Sequence, residues 1–267
     1  MKQYTEHKNA KKRIILAYAV SIVLLIVFVF ANIGLGSVKI SPADAVSTLL
    51  GRGNDANIVK ILWNIRLPRM IAALILGGAL SLSGFLLQTY FGNPIAGPFI
   101  LGISSGAKLA VALLLVFVIG TYKNVSSGAL VTAAFAGSMI VMAFVLLVSR
   151  KIKRPSALII SGVMVGYICS AITDFIITFG SDASIVNLHN WSKGSFSGTS
   201  WSNVQFIAVS VALTSFLVFW LSKPIGALQL GENYAKSLGV NIRLIRVLIV
   251  ITSGFLSACV TAFAGPI

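Results

Sequence analysis

The stretch RLPRMIAALILGGALSLSGFLLQ, residues 66–88, decides the fold class of this chain. Two arginines flank a Leu-Pro pair, and a long apolar run follows that contains several Gly and Ser residues. A helix needs about 20 mostly apolar residues to cross the hydrocarbon core of a bilayer. Small residues allow helix backbones to approach closely in lipid, where packing replaces the hydrophobic driving force. The stretch therefore predicts a transmembrane helix with fixed positive charge at its entrance.

The composition of the whole chain leads to the same class. Of its 267 residues, 57% are hydrophobic and 10% are charged, whereas a soluble domain carries about 25% charged residues. The net charge of +15 lies in short segments between apolar runs. This distribution is typical of topology determinants facing lipid and not of a nucleic-acid-binding face. We therefore expect an all-α, polytopic transmembrane helical bundle that does not bind nucleic acid.

Seven apolar segments are long enough to span a membrane. They cover residues 14–34, 70–90, 99–120, 128–148, 157–179, 203–221 and 244–264. The first segment is longer than the apolar core of a signal peptide, so we expect a retained span. A cytoplasmic N-terminus puts the larger share of Lys and Arg inside, as the positive-inside rule requires. We expect a single multi-pass domain over residues 1–267, located in the cell membrane.

No residue pattern indicates catalysis. His7 and His189 lie far apart in the sequence, and it contains neither a His-Glu-x-x-His motif nor a Walker sequence. Cys169 and Cys259 lie inside apolar runs, where a small packing residue is a better interpretation than a disulfide or a metal ligand. The sequence thus predicts no catalytic residue, no metal ligand, no cofactor and no enzymatic activity.

The second span and the turn after it contain candidate pathway residues. Small residues on several faces of this span favour either ordinary close packing or a helix that lines a pathway, and Gln88 at the inner end favours the second interpretation. The following GNPIAGPFILGISSGA, residues 92–107, is interpreted either as an inner gate or as a tight turn between helices. The candidates are Gly84, Gln88, Asn93, Pro94, Ile95, Gly102 and Ser105.

Three further features lie in the inside loop 222–246 and in two of the spans. Within the loop, GENYAKSLG predicts a short helix that ends at Gly239 and that is either a docking point for a partner or a surface connector. Lys108 falls in the inner half of the third span and Asp174 in the outer half of the fifth. An ionisable residue in a span is a functional candidate by default, although Lys108 could snorkel to the interface and Asp174 could meet water near the outer mouth. Because they fall in different halves, we do not pair them.

The longest of these blocks carries a resemblance to a known family. RLPRMIAALILGGALSLSGFLLQTYFGNPIAGPFILGISSGA (66–107) resembles the signature block of FecCD-like permeases, the membrane subunits of ABC importers for iron–siderophores, haem and cobalamin. LGENYAKSLGVNIRLIR (230–246) is similar to the coupling loop of that family, WSKGSFSGTSW (191–201) to its outer segment before the sixth span, and AGPI (264–267) to the start of a further motif. The resemblance covers essentially the whole chain, in order.

The resemblance implies a transport subunit with ten spans that works as a homo- or heterodimer. Two cytoplasmic ATP-binding subunits would hydrolyse ATP, and an extracytoplasmic substrate-binding protein would deliver the ligand. We expect ATP-driven uptake of an iron(III)–siderophore complex. The alternatives are a haem or cobalamin importer permease, an ion-coupled secondary transporter, or an inactive truncated remnant, because the family usually continues through three more spans after the Gly-Pro-Ile at which this sequence stops.

The resemblance also implies roles for individual residues. Arg66 and Arg69 match outer arginines that pair with acidic residues of the binding protein, and Asn93 and Ile95 match the inner turn that helps to close the pathway. Gly231, Glu232, Ala235, Leu238 and Gly239 match the segment that couples to the ATPase. Lys108 departs from the family pattern, since a small or apolar residue is expected at that position.

Overall fold

The computed structural model describes residues 2–36, 38–53, 55–118, 126–151 and 155–266. Side chains are described for all of these except residues 2–10, 118, 149–151 and 155–156. All regular secondary structure in the described ranges is helical. Six of these helices are long and apolar enough to cross a membrane, which confirms the predicted all-α transmembrane class.

Internal contacts divide the chain into two units, residues 1–71 and 72–267. The first unit contains α1 (Lys2–Gly34), α2 (Pro42–Leu49) and α3 (Ala56–Ile61). Ser41 caps α2 by accepting a hydrogen bond from the backbone of Asp44, as its position before a proline predicts. A turn of π-helix, Leu62–Arg66, continues without a break into the next helix.

That helix is α4 (Leu67–Phe91), and most of it belongs to the second unit. The helices that follow are α5 (Ile103–Leu113), α6 (Ser127–Lys151), α7 (Pro155–Ile177), α8 (Asp182–Ser192), α9 (Trp201–Trp220), α10 (Ser222–Gln229), α11 (Glu232–Ser237) and α12 (Ile242–Ala264). The candidate spans are 11–34, 56–91, 127–148, 157–177, 201–220 and 242–264. They contain or overlap six of the seven predicted segments.

The core of the second unit is built from α5, α6, α7 and α12. Close approach of helix backbones is concentrated here. A Cβ atom added at Gly137 of α6 would lie 2.6 Å from the Cβ of Ala110 and would also overlap the carbonyl of Gly106. Cys169 and Cys259 are buried in the same unit, as expected for small packing residues.

The third predicted segment, 99–120, is the one that the structure alters. Its start is a turn of 3₁₀-helix, Pro98–Leu101, followed by Gly102 at φ +72°. A left-handed residue interrupts the helix and favours glycine, so α5 begins only at Ile103. A π-helical stretch, Leu114–Val118, continues it to the end of the described range. Residues 119 and 120 lie outside the described residues. The structure therefore moves the start of the predicted segment from 99 to 103 and describes its helix as far as Val118.

Helix α8 lies in the segment that joins α7 to α9. Sequence analysis did not predict this helix, although Ser181 stands directly before it and accepts a hydrogen bond from the backbone of Ser184. Ser195 in the same segment donates its backbone N–H to the carbonyl of Ala264 at 2.8 Å. The blocks 191–201 and 264–267, which are far apart in sequence, thus contact each other at the end of α12.

Candidate transport and coupling site

The segment predicted to couple to a partner is a compact helical excursion. It contains α10 and α11. Helix α11 ends at Ser237, Leu238 is its C-cap, and the next residue, Gly239, has a φ of +78° that is typical of a glycine helix stop. Ala235 is fully buried and packs with Ala227 and Ile242. Tyr234 and Leu238, in contrast, are exposed, Leu238 at 58%. Of the residues on α11, Ala235 holds the helix against its own chain, and Tyr234 and Leu238 lie on the surface that is open to a partner.

Two side-chain contacts fasten this segment to the ends of the spans. Arg246 of α12 donates a hydrogen bond to the carboxylate of Glu232 and forms an ion pair with it. The guanidinium carbon of Arg246 lies 6.0 Å from the centre of the Tyr90 ring on α4, within cation–π range. Gln229 donates to the hydroxyl of Thr89 at 2.9 Å. A displacement of α11 would therefore be transmitted to α4 and α12 through these contacts.

Sequence analysis assigned Glu232 to the partner surface and missed Tyr90, Thr89 and Arg246. In the structure, the Glu232 carboxylate is bound to Arg246 within the chain. Arg246 entered the sequence analysis only as the last residue of the block 230–246 that resembles the coupling loop, without a role of its own. A possible signal was that the loop predicted to carry the coupling helix ends on an arginine directly before an apolar span.

The turn after α4, which was predicted to lie at the inner surface, is tight and held by its own atoms. The side-chain oxygen of Asn93 accepts a hydrogen bond from the backbone of Ile95 at 2.9 Å, and the backbone of Ala96 donates to the Asn93 carbonyl at 3.1 Å. This geometry presents Ile95 outward with 80% of its surface exposed, and Pro94 is exposed beside it. A local turn therefore forms a rigid apolar projection at the end of α4.

One side of α4 carries a row of small and polar residues, here called the α4 stripe: Gly77, Ser81, Gly84 and Gln88. Spacings of four, three and four residues place them on one helix face. A Cβ atom added at Gly77 or Gly84 would meet nothing within 4 Å, and Gln88 is exposed. Ser83, on another face, is buried and donates to the carbonyl of Ser253 at 2.9 Å. Close packing thus accounts for Ser83, while the α4 stripe stays open within the described residues.

Gly102 and Ser105 are placed differently from the α4 stripe. A Cβ atom at Gly102 would lie 2.8 Å from the carbonyl oxygen of Gly162, and the Ser105 hydroxyl lies 3.5 Å from the Cβ position of Gly166. Both residues therefore belong to the tight contact between α5 and α7. Their small size serves packing in this chain.

Arg66 and Arg69, which were predicted to lie outside, have different surroundings. Arg66 is only 8% exposed, and its guanidinium donates to the backbone carbonyls of Ile33 and Val38. A Cβ atom at Gly36 would lie 2.6 Å from the Arg66 Nη2 atom, so the glycine makes room for this side chain. Arg69 is half-buried. Arg66 thus fastens the segment after α1 to the start of α4.

Comparisons with known proteins give consistent results. The model of the FecCD transport family matches residues 24–267. The vitamin B12 import system permease BtuC of Citrobacter koseri is 33% identical over 245 residues, which cover 92% of this chain and 71% of that protein. The Fe(3+)-citrate import system permease YfmE of Bacillus subtilis is 32% identical over 260 residues, covering 96% and 75%. A solved chain of a metal-chelate type ABC transporter, in an inward-facing conformation, is similar with a TM-score of 0.79 at 29% identity, covering 92% of this chain and 75% of that one.

Proposed function

Because this chain belongs to the FecCD transport family, and so is a permease subunit of an ABC importer and not an enzyme, we propose that it carries an iron(III)–siderophore complex across the cell membrane. It does so together with a second permease subunit. ATP hydrolysis takes place on separate ATPase subunits, and an extracytoplasmic protein delivers the chelate. The N-terminus and the segment 222–246 face the cytoplasm, in agreement with the distribution of Lys and Arg.

The observation that supports this proposal best is the way the 222–246 segment is fastened. Tyr234 and Leu238 offer an exposed apolar surface on α11, suited to a protein partner. Behind them, Glu232 is tied to Arg246 and thereby to α12 and α4. An ATPase that pushes on α11 would move the inner ends of two spans. This is the connection that an energy-coupled permease needs and that a passive scaffold does not.

The path of the chelate follows from the open surfaces of α4. We assign the α4 stripe to the wall of the pathway, because a Cβ atom added at either of its glycines would meet nothing within 4 Å and Gln88 supplies an exposed amide. The projecting Asn93–Ile95 turn lies at the inner end of the same helix and forms part of the inner gate. Gly102 and Ser105 contribute through the packing of α5 on α7.

The outer docking point is assigned mainly to Arg69. Arg66 is occupied by two backbone carbonyls, so its contribution is to hold the outer segment in place. Arg69 is half-buried in the same turn, and a guanidinium at this position suits an acidic side chain of a binding protein.

A second candidate ligand is cobalamin, since BtuC of Citrobacter koseri is 33% identical to this chain. The iron chelate is favoured because YfmE, an Fe(3+)-citrate permease, matches a larger share of this chain, 96% against 92%. Both ligands are bulky and need a wide pathway lined by small residues.

The test is uptake into membrane vesicles that contain the chain together with its ATPase and binding protein. We expect ATP-dependent accumulation of radioactive iron from a ferric siderophore, unaffected by excess cobalamin. Leu238→Asp should abolish accumulation and co-purification of the ATPase, whereas Lys236→Ala, an exposed change on the same helix, should not. Accumulation of labelled cobalamin in place of iron would assign the vitamin as ligand, and accumulation of iron without ATP would refute the ABC importer function.

A further inference from the structure

Helix α7 has three distinct faces. Its buried face packs on α5 and on the turn before it, through residues that include Gly162, Gly166 and Thr173. An exposed apolar face carries Met164, Ile168, Ile172, Phe175 and Phe179. The third face, here called the polar face of α7, carries Tyr167, Ala171, Asp174 and Thr178, and all four are exposed. Spacings of four and three residues align Tyr167, Ala171 and Asp174 along the helix, and Thr178 follows in the turn directly after Ile177.

The two exposed faces need different surroundings. The apolar face has five large hydrophobic residues and no polar atom in its side chains except the Met164 sulfur, which suits lipid. The polar face holds a phenol, a carboxylate and a hydroxyl within the candidate span 157–177 or directly after it. A carboxylate is costly in hydrocarbon, and such residues normally face a water-filled cavity or the interior of a bundle.

No described residue neutralises this carboxylate. Asp174 makes no hydrogen bond or ion pair with the part of the chain that the structure describes. Helix α5, which packs against α7, carries one cation: Ser105 lies near Gly166, and Lys108 lies one turn further along. Lys108 is half-buried, and it also forms no ion pair with the described residues. Within the described residues, the Asp174 carboxylate on the polar face of α7 therefore has no cation that neutralises it.

We infer that the polar face of α7 borders the water-filled passage and that Asp174 makes this wall anionic, so that the passage favours cationic and neutral solutes over anionic ones. The inference rests on the proposed transport function and narrows its substrate class. In a pair of identical subunits, twofold symmetry would place a second Asp174 on the facing wall and double the charge.

Hydration of this face is tested by single-cysteine substitution in the assembled transporter. In a background with Cys169→Ala and Cys259→Ala, the positions Tyr167 and Ala171 are changed to cysteine one at a time. Ile168 and Ile172 serve as matched controls at the same depth on the apolar face. Since a thiol reacts with thiosulfonates only where it can ionise in water, we expect the first two positions to be modified at least about tenfold faster than the controls.

The charge of the wall is tested at Ala171→Cys, which lies one turn from Asp174. Its modification rates by a cationic and an anionic thiosulfonate of similar size are compared with and without Asp174→Asn. Because a fixed carboxylate concentrates cations near it, removal of the charge should lower the cation-to-anion rate ratio by about threefold or more. A glutamate at position 174 should keep the ratio of the parent protein.

The outcomes separate the inference from the proposed function. If positions 167 and 171 react no faster than 168 and 172, the face is covered by lipid or by a second copy, and the inference is wrong even where ATP-dependent iron uptake persists. If Asp174→Cys is modified while cysteines at positions 167 and 171 are protected, the Asp174 carboxylate lies at the outer interface, and the inference is wrong. An unchanged rate ratio in Asp174→Asn would refute the anionic wall. Fast modification of the face without any uptake would instead leave the inference standing and refute the importer.

Discussion

Arg66 and Arg69 illustrate how two equal charges three residues apart can serve different purposes. Arg66 is held by the carbonyls of Ile33 and Val38, and Arg69 is half-buried in the same turn. We expect Arg66→Glu to destabilise the outer segment, since each hydrogen bond from a charged donor contributes about 1.5–3 kcal/mol. Arg69→Glu should mainly weaken docking of the binding protein. The melting temperature of the purified complex and its affinity for the binding protein measure the two effects.

Arg52→Glu is the matched control. Arg52 is exposed in the same segment, and its substitution reverses the same charge. It should change neither the melting temperature nor the affinity beyond a small electrostatic effect. A normal melting temperature combined with lost docking in Arg66→Glu would contradict the assignment and return Arg66 to the docking surface.

The residue scale is also where sequence analysis reached its limit. The pattern around Pro68 predicts charge at the entrance of a span, and α4 begins there. The use of Arg66 within the chain was not predictable, because its acceptors are backbone carbonyls 33 and 28 positions earlier. Every residue has such a carbonyl, so the sequence does not mark the ones that Arg66 contacts. The same holds for Glu232 and Arg246, whose pairing across a turn depends on how α11 folds back on α12.

The pair Glu232–Arg246 leads to a second prediction at this scale. Glu232→Arg or Arg246→Glu alone places like charges together, and each should lower the amount of solute carried per ATP hydrolysed. The double reversal should restore much of the coupling. Because the Arg246 side chain is 25% exposed and that of Glu232 is 45% exposed, the effect on the free energy of unfolding should stay within about 0.2–1 kcal/mol.

Uptake and ATP hydrolysis measured in the same proteoliposomes give the coupling ratio. Lys236→Glu, an exposed charge reversal on α11, controls for a general change of charge at the docking surface. If the double reversal is as poorly coupled as the single changes, the ion pair does not transmit the movement of α11.

At the scale of helices, the glycines fall into two groups that look alike in sequence. A Cβ atom at Gly137 would lie 2.6 Å from that of Ala110, whereas one at Gly84 would meet nothing within 4 Å. We therefore expect Gly137→Ala to destabilise the protein by about 1–3 kcal/mol through overpacking of α5 against α6. Gly84→Ala should leave stability unchanged or raise it by about 0.5–1 kcal/mol, since alanine is the better helix former.

Thermal inactivation of the purified complex distinguishes the two variants. A larger side chain extends the comparison, since Gly84→Phe should leave assembly intact and obstruct uptake if the α4 stripe lines the pathway. Equal thermal stability of Gly137→Ala and Gly84→Ala would show that α5 and α6 are not in the close contact described here.

The lengths of the helices were predictable where the apolar run is uninterrupted, and α4, α9 and α12 lie within a few residues of the expected positions. The start of the helix in the third segment was not predictable, because the apolar composition of the segment is continuous while its backbone turns at Gly102. A glycine in an apolar run is compatible with a helix, and only the packing of Gly102 against Gly162 on α7 shows why it does not continue. Helix α8 was missed for the opposite reason, since its polar sequence looks like a loop although Ser181 caps it.

At the scale of the molecule, composition alone was sufficient for the class, and the ordered motifs were sufficient for the family. The chain spans 71% and 75% of two curated relatives that are named for different cargoes, vitamin B12 and Fe(3+)-citrate. Residues that pack helices together are therefore compatible with more than one cargo, so they do not identify it. The chain-specific features, above all the carboxylate of Asp174, are where a difference in cargo should be sought.

The orientation of the whole molecule gives the last prediction. Lys193 lies between α8 and α9 and Lys236 on α11, and both are exposed, so that either can be changed to cysteine with little effect on packing. With the N-terminus in the cytoplasm, an impermeant maleimide should modify Lys193→Cys in right-side-out vesicles and Lys236→Cys only in inverted ones. The buried Cys169 and Cys259 should contribute little background. The reverse pattern would place α11 outside the cell, where no ATPase could reach it, and both the coupling assignment and the importer function would fail together.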